Sequence, residues 1–253
     1  MNKKTRKERE QIKALIDRAE NLNIDYIQCF DNVFSKNECD SFIKKINKFK
    51  DKGIMRKGKV GYNSYVESLK VSMDIDVYKD CGKKYKDDDI DNMYLSLHNK
   101  IGVCIYSYLL SVGVLGKQFL GLNVYNVKNF VKEEDIPDMP KEYVVESIKL
   151  RKYEKNKGGY YMLHNDATNH HDRTLAVIVY LNDTEYGGET SFPLLKRNIK
   201  PKAGRVLVFP SYFTHMHYGR TSPSDKYVVI SHIINDKINY KYKQEKEKQW
   251  EEQ

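Results

Sequence analysis

The sequence predicts a mainly β, α+β protein: a β-sandwich or jelly roll core with supporting N-terminal helices. Three observations carry that reading. Short strand patterns follow one another through residues 143–236, with Gly and Pro turns between them. Two amphipathic helix patterns, Cys39 to Phe49 and Leu97 to Leu109, lie ahead of those strands. A length of 253 residues suits one such domain with a sizeable core.

In chain order, residues 3–22 read as a charged helix with Ile12, Leu15, Ile16 and Ala19 on one face. Asp25 to Phe30 reads as a short strand. Ser35-Lys36-Asn37-Glu38 is a capping box, whose serine and glutamate satisfy the free amides opening a helix. That helix carries Cys39, Phe42, Ile43, Ile46 and Phe49 on one face and packs along the sheet. Residues 51–92 are polar and loop-like, with one strand expected near Ser68 to Val77. Leu97, Ile101, Cys104, Ile105, Tyr108 and Leu109 mark the second long helix. Residues 126–142, charged and containing Pro137 and Pro140, are expected to be an insertion at the mouth or edge of the core.

The core begins with alternation in Val145 to Tyr153, turns at Gly158-Gly159 and continues through Tyr160 to Leu163. Leu175 to Leu181 is a short apolar run without helical period and reads as a buried strand. Asn182-Asp183 and Gly187-Gly188 turn the chain into a strand at Thr190 to Pro193. Arg205 to Pro210 and Tyr227 to Ile234 add two more. The expected division is thus a single domain, with residues 1–142 as support and variable loops, 143–236 as the core and 237–253 as a charged tail that is helical or disordered.

Within the core, His164-x-Asp166 and His215-x-His217 stand out. Side chains two residues apart on a strand share a face, so each pair points one way. Two imidazoles and one carboxylate make a facial set that suits Fe(II), because it leaves positions open for a co-substrate and oxygen. A His-x-acid triplet is expected by chance in a chain with 7 His and 35 Asp+Glu, so its setting among the strands carries the weight. Spacing leaves the distal ligand open between His217, favoured because Gly219 follows it, and His215. The other histidines are read as non-ligands: His98 in a helical pattern, His170 and His171 in a polar segment between strands, and His232 as a core or edge residue of the last strand.

The run also resembles the catalytic core of the Fe(II)- and 2-oxoglutarate-dependent dioxygenases, specifically the prolyl 4-hydroxylase-like branch. The matching pieces are Tyr153, Gly159-Tyr160-Tyr161, His164-x-Asp166, Arg173, Val179-Tyr180-Leu181-Asn182, Gly187-Gly188-Glu189-Thr190-x-Phe192-Pro193, Pro201-x-x-Gly204, Phe209-Pro210, the distal His and Lys226-Tyr227, in the family's order. The resemblance implies a double-stranded β-helix as the form of the jelly roll core, with Fe(II) on His164, Asp166 and His217 and His215 as the alternative. It implies 2-oxoglutarate as co-substrate, its remote carboxylate held by Lys226, Thr190 and Tyr161, whose amine and hydroxyls can supply that charge and those hydrogen bonds. It further implies O2, ascorbate as a candidate reductant, and oxidative decarboxylation coupled to hydroxylation of an unactivated C–H bond. A prolyl residue in a peptide is the best substrate; a free amino acid, small metabolite or nucleobase is the alternative. A non-enzymatic binding module on this fold would be expected to have lost a ligand or Lys226, and all are present.

The net charge of +9 is spread over the N-terminus, Lys44 to Lys59, Lys83-Lys84 and the tail, and is broken by Asp87-Asp88-Asp89 and Glu133-Glu134-Asp135. That distribution weighs against a nucleic-acid stripe. Cys29, Cys39, Cys81 and Cys104 show neither CxxC nor zinc spacing, as expected of a reduced intracellular protein. The basic start is not followed by an apolar stretch, and no run approaches membrane-spanning length, so a cytoplasmic location is expected.

Overall fold

The computed structural model describes residues 25–60, 65–77, 88–112, 143–167 and 173–235. The helix expected at 3–22, the segment 126–142, His170, His171, Cys81 and the tail from 237 lie outside the described residues.

Two antiparallel sheets face each other. The larger has seven strands: β1 (Gln28–Phe30), β2 (Arg56–Lys57), β4 (Met73–Asp76), β5 (Tyr143–Tyr153), β7 (Arg173–Tyr180), β10 (Val206–Pro210) and β12 (Lys226–Asn235), in the order β1-β10-β7-β12-β5-β4-β2. The smaller is ordered β3-β6-β11-β8-β9, from β3 (Lys70–Val71), β6 (Gly159–His164), β8 (Thr190–Phe192), β9 (Arg197–Ile199) and β11 (His217–Gly219). Helices α1 (Lys36–Asp51) and α2 (Asp88–Ser111) cover the outer face of the larger sheet.

Covering both faces explains why β7 shows no polar alternation. Leu175, Val177, Val179 and Leu181 pack with Phe42, Ile46, Leu97 and Ile101 on the helix side. Ala176, Ile178 and Tyr180 pack with Phe192, Leu207 and Phe209 between the sheets. Burying one such Leu, Ile or Phe side chain contributes about 1.5–3 kcal/mol, so both layers hold β7.

The capping box forms as expected. Ser35 N donates to Glu38 Oε2 at 2.8 Å, and Glu38 N donates to Ser35 Oγ at 3.3 Å. Glu38 also pairs with Lys100 at 2.7 Å, tying the start of α1 to α2. His98 is in α2, stacked against Tyr94.

Three expectations need correction. The strand near 68–77 is two, with β3 in the smaller sheet and β4 in the larger, separated at Ser72. Strands β2 and β9 were not expected, because two or three residues carry too little pattern to register. Residues 215–217 are not one extended segment: Phe213–His215 forms a 3-10 turn, and the strand begins at His217. The two-residue rule that put His215 and His217 on one face therefore fails. No helix among the described residues is long and apolar enough to cross a membrane.

Candidate metal centre and co-substrate pocket

Strands β6 and β11 are neighbours, and their register sets His217 opposite His164. The two rings lie 4.3 Å apart, centroid to centroid. Asp166 follows just past the end of β6. Its amide and that of Ala167 both donate to Ser211 O, at 3.0 and 2.9 Å, which anchors this stretch to the end of β10. Asp166 Oδ2 then lies 3.5 Å from His217 Nε2. One donor atom from each of His164, Asp166 and His217 falls within 4.8 Å of the others.

The hydrogen bonds fix which ring nitrogens are free. His164 Nδ1 lies 2.8 Å from Met162 O, and His217 Nδ1 lies 3.1 Å from His215 O. A carbonyl can only accept, so each Nδ1 carries the proton and each Nε2 keeps its lone pair. Burial pushes the His164 pKa down to about 4, with His217 adding to the effect. Burial likewise lowers His217, against the pull of Asp166. Both rings are therefore neutral, as a metal requires. Burial opposes the charge on Asp166, but the His232 and His217 rings outweigh it and hold the acid below the usual carboxylate range. Two neutral imidazoles and one carboxylate, aimed inward from one side, fit a divalent transition metal such as Fe(II).

His215 is not part of this group. Its Nε2 lies 2.7 Å from Asp25 O and its Nδ1 2.8 Å from Thr214 Oγ1, so both nitrogens are occupied on the other side of the turn.

Lys226 opens β12 from inside the core and is 4% exposed. Its amine donates to Gly188 O at 2.6 Å and lies 5.2 Å and 5.7 Å from the ring centroids of Tyr153 and Tyr180. The Tyr180 hydroxyl lies 2.7 Å from that of Thr190. Burial, then the charge of Arg151, lowers the Lys226 pKa to about 7, against the pull of Glu189. Arg151 is already answered, because Asp74 grips it through two bonds of 2.7 Å. No carboxylate lies within ion-pair distance of the Lys226 amine among the described residues. A buried cation in that state favours an incoming anion, which fits the remote carboxylate of a 2-oxo diacid.

Thr190 is linked to Lys226 through Tyr180, whose hydroxyl it meets and whose ring lies 5.7 Å from the amine, whereas Tyr161 is turned away. Tyr160 and His164 share the inner face of β6 and stack at 3.7 Å, which leaves Tyr161 on the outer face. Its ring is 38% exposed, and its hydroxyl donates to Lys157 O. Tyr153, to which sequence reasoning gave no role, is buried against Lys226 and accepts from Arg151 Nη1 at 3.2 Å. Sequence reasoning also passed over His232, which lies beside Asp166. Even spacing from Lys226 along β12 was the available signal.

Comparison with known proteins agrees with this fold. Residues 148–233 match the family model of the 2OG-Fe(II) oxygenase superfamily. No curated protein matches the chain by sequence. Among solved structures, a Trichoplax adhaerens prolyl hydroxylase in complex with a hypoxia inducible factor peptide fragment is similar at 14% identity and a TM-score of 0.60, covering 94% of this chain and 95% of that one. A Pseudomonas putida prolyl-4-hydroxylase is similar at 14% identity and a TM-score of 0.54, covering 85% and 96%. At these identities the likeness speaks to the fold.

Proposed function

We propose that this chain, a 2OG-Fe(II) oxygenase by the core it carries at residues 148–233, hydroxylates a prolyl residue in a peptide or protein. The observation that carries the oxygenase reading is the convergence of His164, Asp166 and His217 within 4.8 Å on the inner face, in the same core as a buried lysine that has no carboxylate partner among the described residues. The prolyl substrate rests on the fold's likeness to prolyl hydroxylases, one of them bound to a peptide.

His164, Asp166 and His217 would hold Fe(II) from one side. Lys226, Thr190 and Tyr153 would hold the remote carboxylate of 2-oxoglutarate. Once bound, iron and co-substrate supply oxygen activation and an oxidant able to remove hydrogen from a C–H bond. The protein's part is to orient and to exclude. The Nδ1–H bonds to Met162 O and His215 O fix both imidazoles before metal arrives. Phe192 and Phe209 pack against His217 at 5.5 and 4.8 Å, an apolar backing that keeps water from that side of the centre. Residues 143–236 act as the catalytic core.

The test is succinate formation from 2-oxoglutarate by Fe(II)-loaded protein with ascorbate present, with and without proline-containing peptides and free amino acids. Peptide-stimulated turnover accompanied by a 16 Da gain on proline is the expected result. Stimulation by free amino acids alone would reassign the substrate. Failure to bind either Fe(II) or 2-oxoglutarate would overturn the oxygenase reading.

A further inference from the structure

The inner face of β12 carries a second polar side chain besides Lys226. His232, in line with Lys226, Val228 and Ile230, is 6% exposed. Its Nε2 lies 3.3 Å from Asp166 Oδ1, and its Nδ1 lies 3.7 Å from Glu146 Oε2. Neither ring nitrogen has a fully formed hydrogen bond to another group. A buried imidazole costs free energy unless its N–H finds an acceptor, and these two carboxylates are the acceptors at hand.

The backbone is irregular at this point on both sides. Pairing between β12 and β5 steps from His232↔Ser147 to Ile233↔Val145, so Glu146 is an extra residue in a bulge. Pairing between β12 and β7 steps from Ile233↔Leu175 to Ile234↔Arg173, so Thr174 is a second. Bulges redirect side chains, and this one turns Glu146 toward His232 where simple alternation from Ile148 and Leu150 would send it to the helices. Arg173 grips Glu146 through Nε at 2.6 Å and Nη2 at 3.1 Å, and its Nη1 donates to Asp166 O at 3.2 Å. Asp166 is thus approached at its backbone by Arg173 and at its side chain by His232.

The two oxygens of Asp166 are divided between neighbours. Oδ2 is turned to His217 and Oδ1 to His232. We propose that His232 is a positioning residue: its Nε2–H draws Oδ1 aside, so that Asp166 offers only Oδ2 to the metal. This rests on the metal centre proposed above. A carboxylate free to bind through both oxygens would occupy one of the positions that a bidentate co-substrate and oxygen need. Groups that orient a ligand in this way typically change metal affinity by about 10–100-fold when removed.

The test uses the full chain, titrated with Co(II) alone and followed by the visible absorption of the bound ion, for wild type, His232→Leu and His232→Gln. His232→Leu fills the space without a donor, whereas His232→Gln returns an N–H at similar reach. The expected result is Co(II) binding weakened about 10–100-fold in His232→Leu, with an altered spectrum, and both restored in His232→Gln. His232→Leu that binds within twofold of wild type with the wild-type spectrum overturns the proposal. So does His232→Gln that folds yet binds as weakly as His232→Leu. Should His232→Leu fail to fold, His232→Gln decides: wild-type affinity and spectrum support the role, and a weakened or altered site overturns it. Wild-type protein that does not bind Co(II) fails the underlying metal reading, and that result is seen before any variant is compared.

Discussion

His217 faces His164 across β11 and β6 with the rings 4.3 Å apart, while His215, two residues earlier, turns its Nε2 to Asp25 O at 2.7 Å. The 3-10 turn Phe213–His215 separates the two rings' directions. His217→Ala should weaken Co(II) or Fe(II) binding by more than the roughly 10–100-fold typical of removing a group that merely orients a ligand. His215→Ala should keep metal affinity within a few-fold and lower stability by about 1 kcal/mol through the lost bond to Asp25 O. Metal titration and thermal melts of the two variants check both statements. Equal loss of metal from both would place His215 in the centre after all.

Tyr153 stands against Lys226 where the sequence expectation had put Tyr161, and the difference is measurable. Tyr153 lies under Lys226 with its hydroxyl accepting from Arg151, whereas Tyr161 is bonded to Lys157 O at the surface. A hydrogen bond to a charged group contributes about 1.5–3 kcal/mol. Tyr153→Phe should therefore raise the Kd of the Mn(II)-loaded protein for 2-oxoglutarate roughly tenfold or more. Tyr161→Phe should leave it within twofold. Calorimetric titration gives both values, and the reverse order would return Tyr161 to the pocket.

These two cases show what the sequence could and could not carry. Long strands were legible because burial on two faces makes them uniformly apolar, as in Leu175 to Leu181, and α1 was legible from its apolar spacing and the Ser35–Glu38 box. The ligand triplet was legible because His164 and Asp166 are near neighbours in the chain. Facing direction was not. The side of β6 that looks inward depends on pairing with β11, a strand of three residues, and the choice between His215 and His217 depends on where a turn ends. The approach of His232 to Asp166 depends on bulges at Glu146 and Thr174, which are properties of register between strands far apart in sequence.

The pH dependence of 2-oxoglutarate binding follows from Lys226. Its free-state pKa is lowered to about 7 by burial, with Arg151 contributing. A bound carboxylate favours the charged amine and raises that value. Below about 7 the amine is charged before binding, and affinity is full. Above it, binding must take up a proton, so Kd should rise with pH by up to about tenfold per unit until the raised pKa of the complex is reached. Titrations from pH 6.5 to 8.5 in buffers of different ionisation enthalpy would report both the trend and the proton uptake. Flat affinity without proton uptake would mean that Lys226 is charged throughout.

Asp74 ties β4 to β5 through Arg151, and both side chains are largely buried. Burial opposes the charge on Asp74, yet Arg151 and then Lys70 hold its pKa below the ordinary carboxylate range. A depressed folded-state pKa adds stability that is present above about 4 and is lost as pH falls toward the folded value. Asp74→Asn leaves Arg151 buried without its partner and should cost about 3–5 kcal/mol at neutral pH. Denaturant titrations of the two proteins at pH 7 and pH 3 should show the gap narrowing at the lower pH. A gap that is constant with pH would assign the loss to packing.

Gly204 and Gly53 both adopt positive φ, +77° and +68°, yet their surroundings differ. A Cβ on Gly204 would lie 2.1 Å from Phe34 O, whereas one on Gly53 meets nothing within 4 Å. Gly204 also accepts from the amides of Val33 and Phe34 at 3.0 and 3.3 Å and donates to Tyr180 O at 2.9 Å, so it joins the chain leading into α1 to the end of β7. Residence in the left-handed region costs a non-glycine residue about 1–3 kcal/mol, and Gly53→Ala should show that cost alone. Gly204→Ala adds a backbone clash that no side-chain rotation can relieve. Its melting temperature should fall further than that of Gly53→Ala, at about 2–4 °C per kcal/mol for a chain of this size. Because Gly204 lies on the side of the larger sheet that meets α1, the folded fraction of either variant should bind Co(II) with wild-type affinity. Equal melting temperatures for the two variants would mean that the Phe34 carbonyl yields to the methyl group, and that left-handed backbone strain alone sets the cost at both positions.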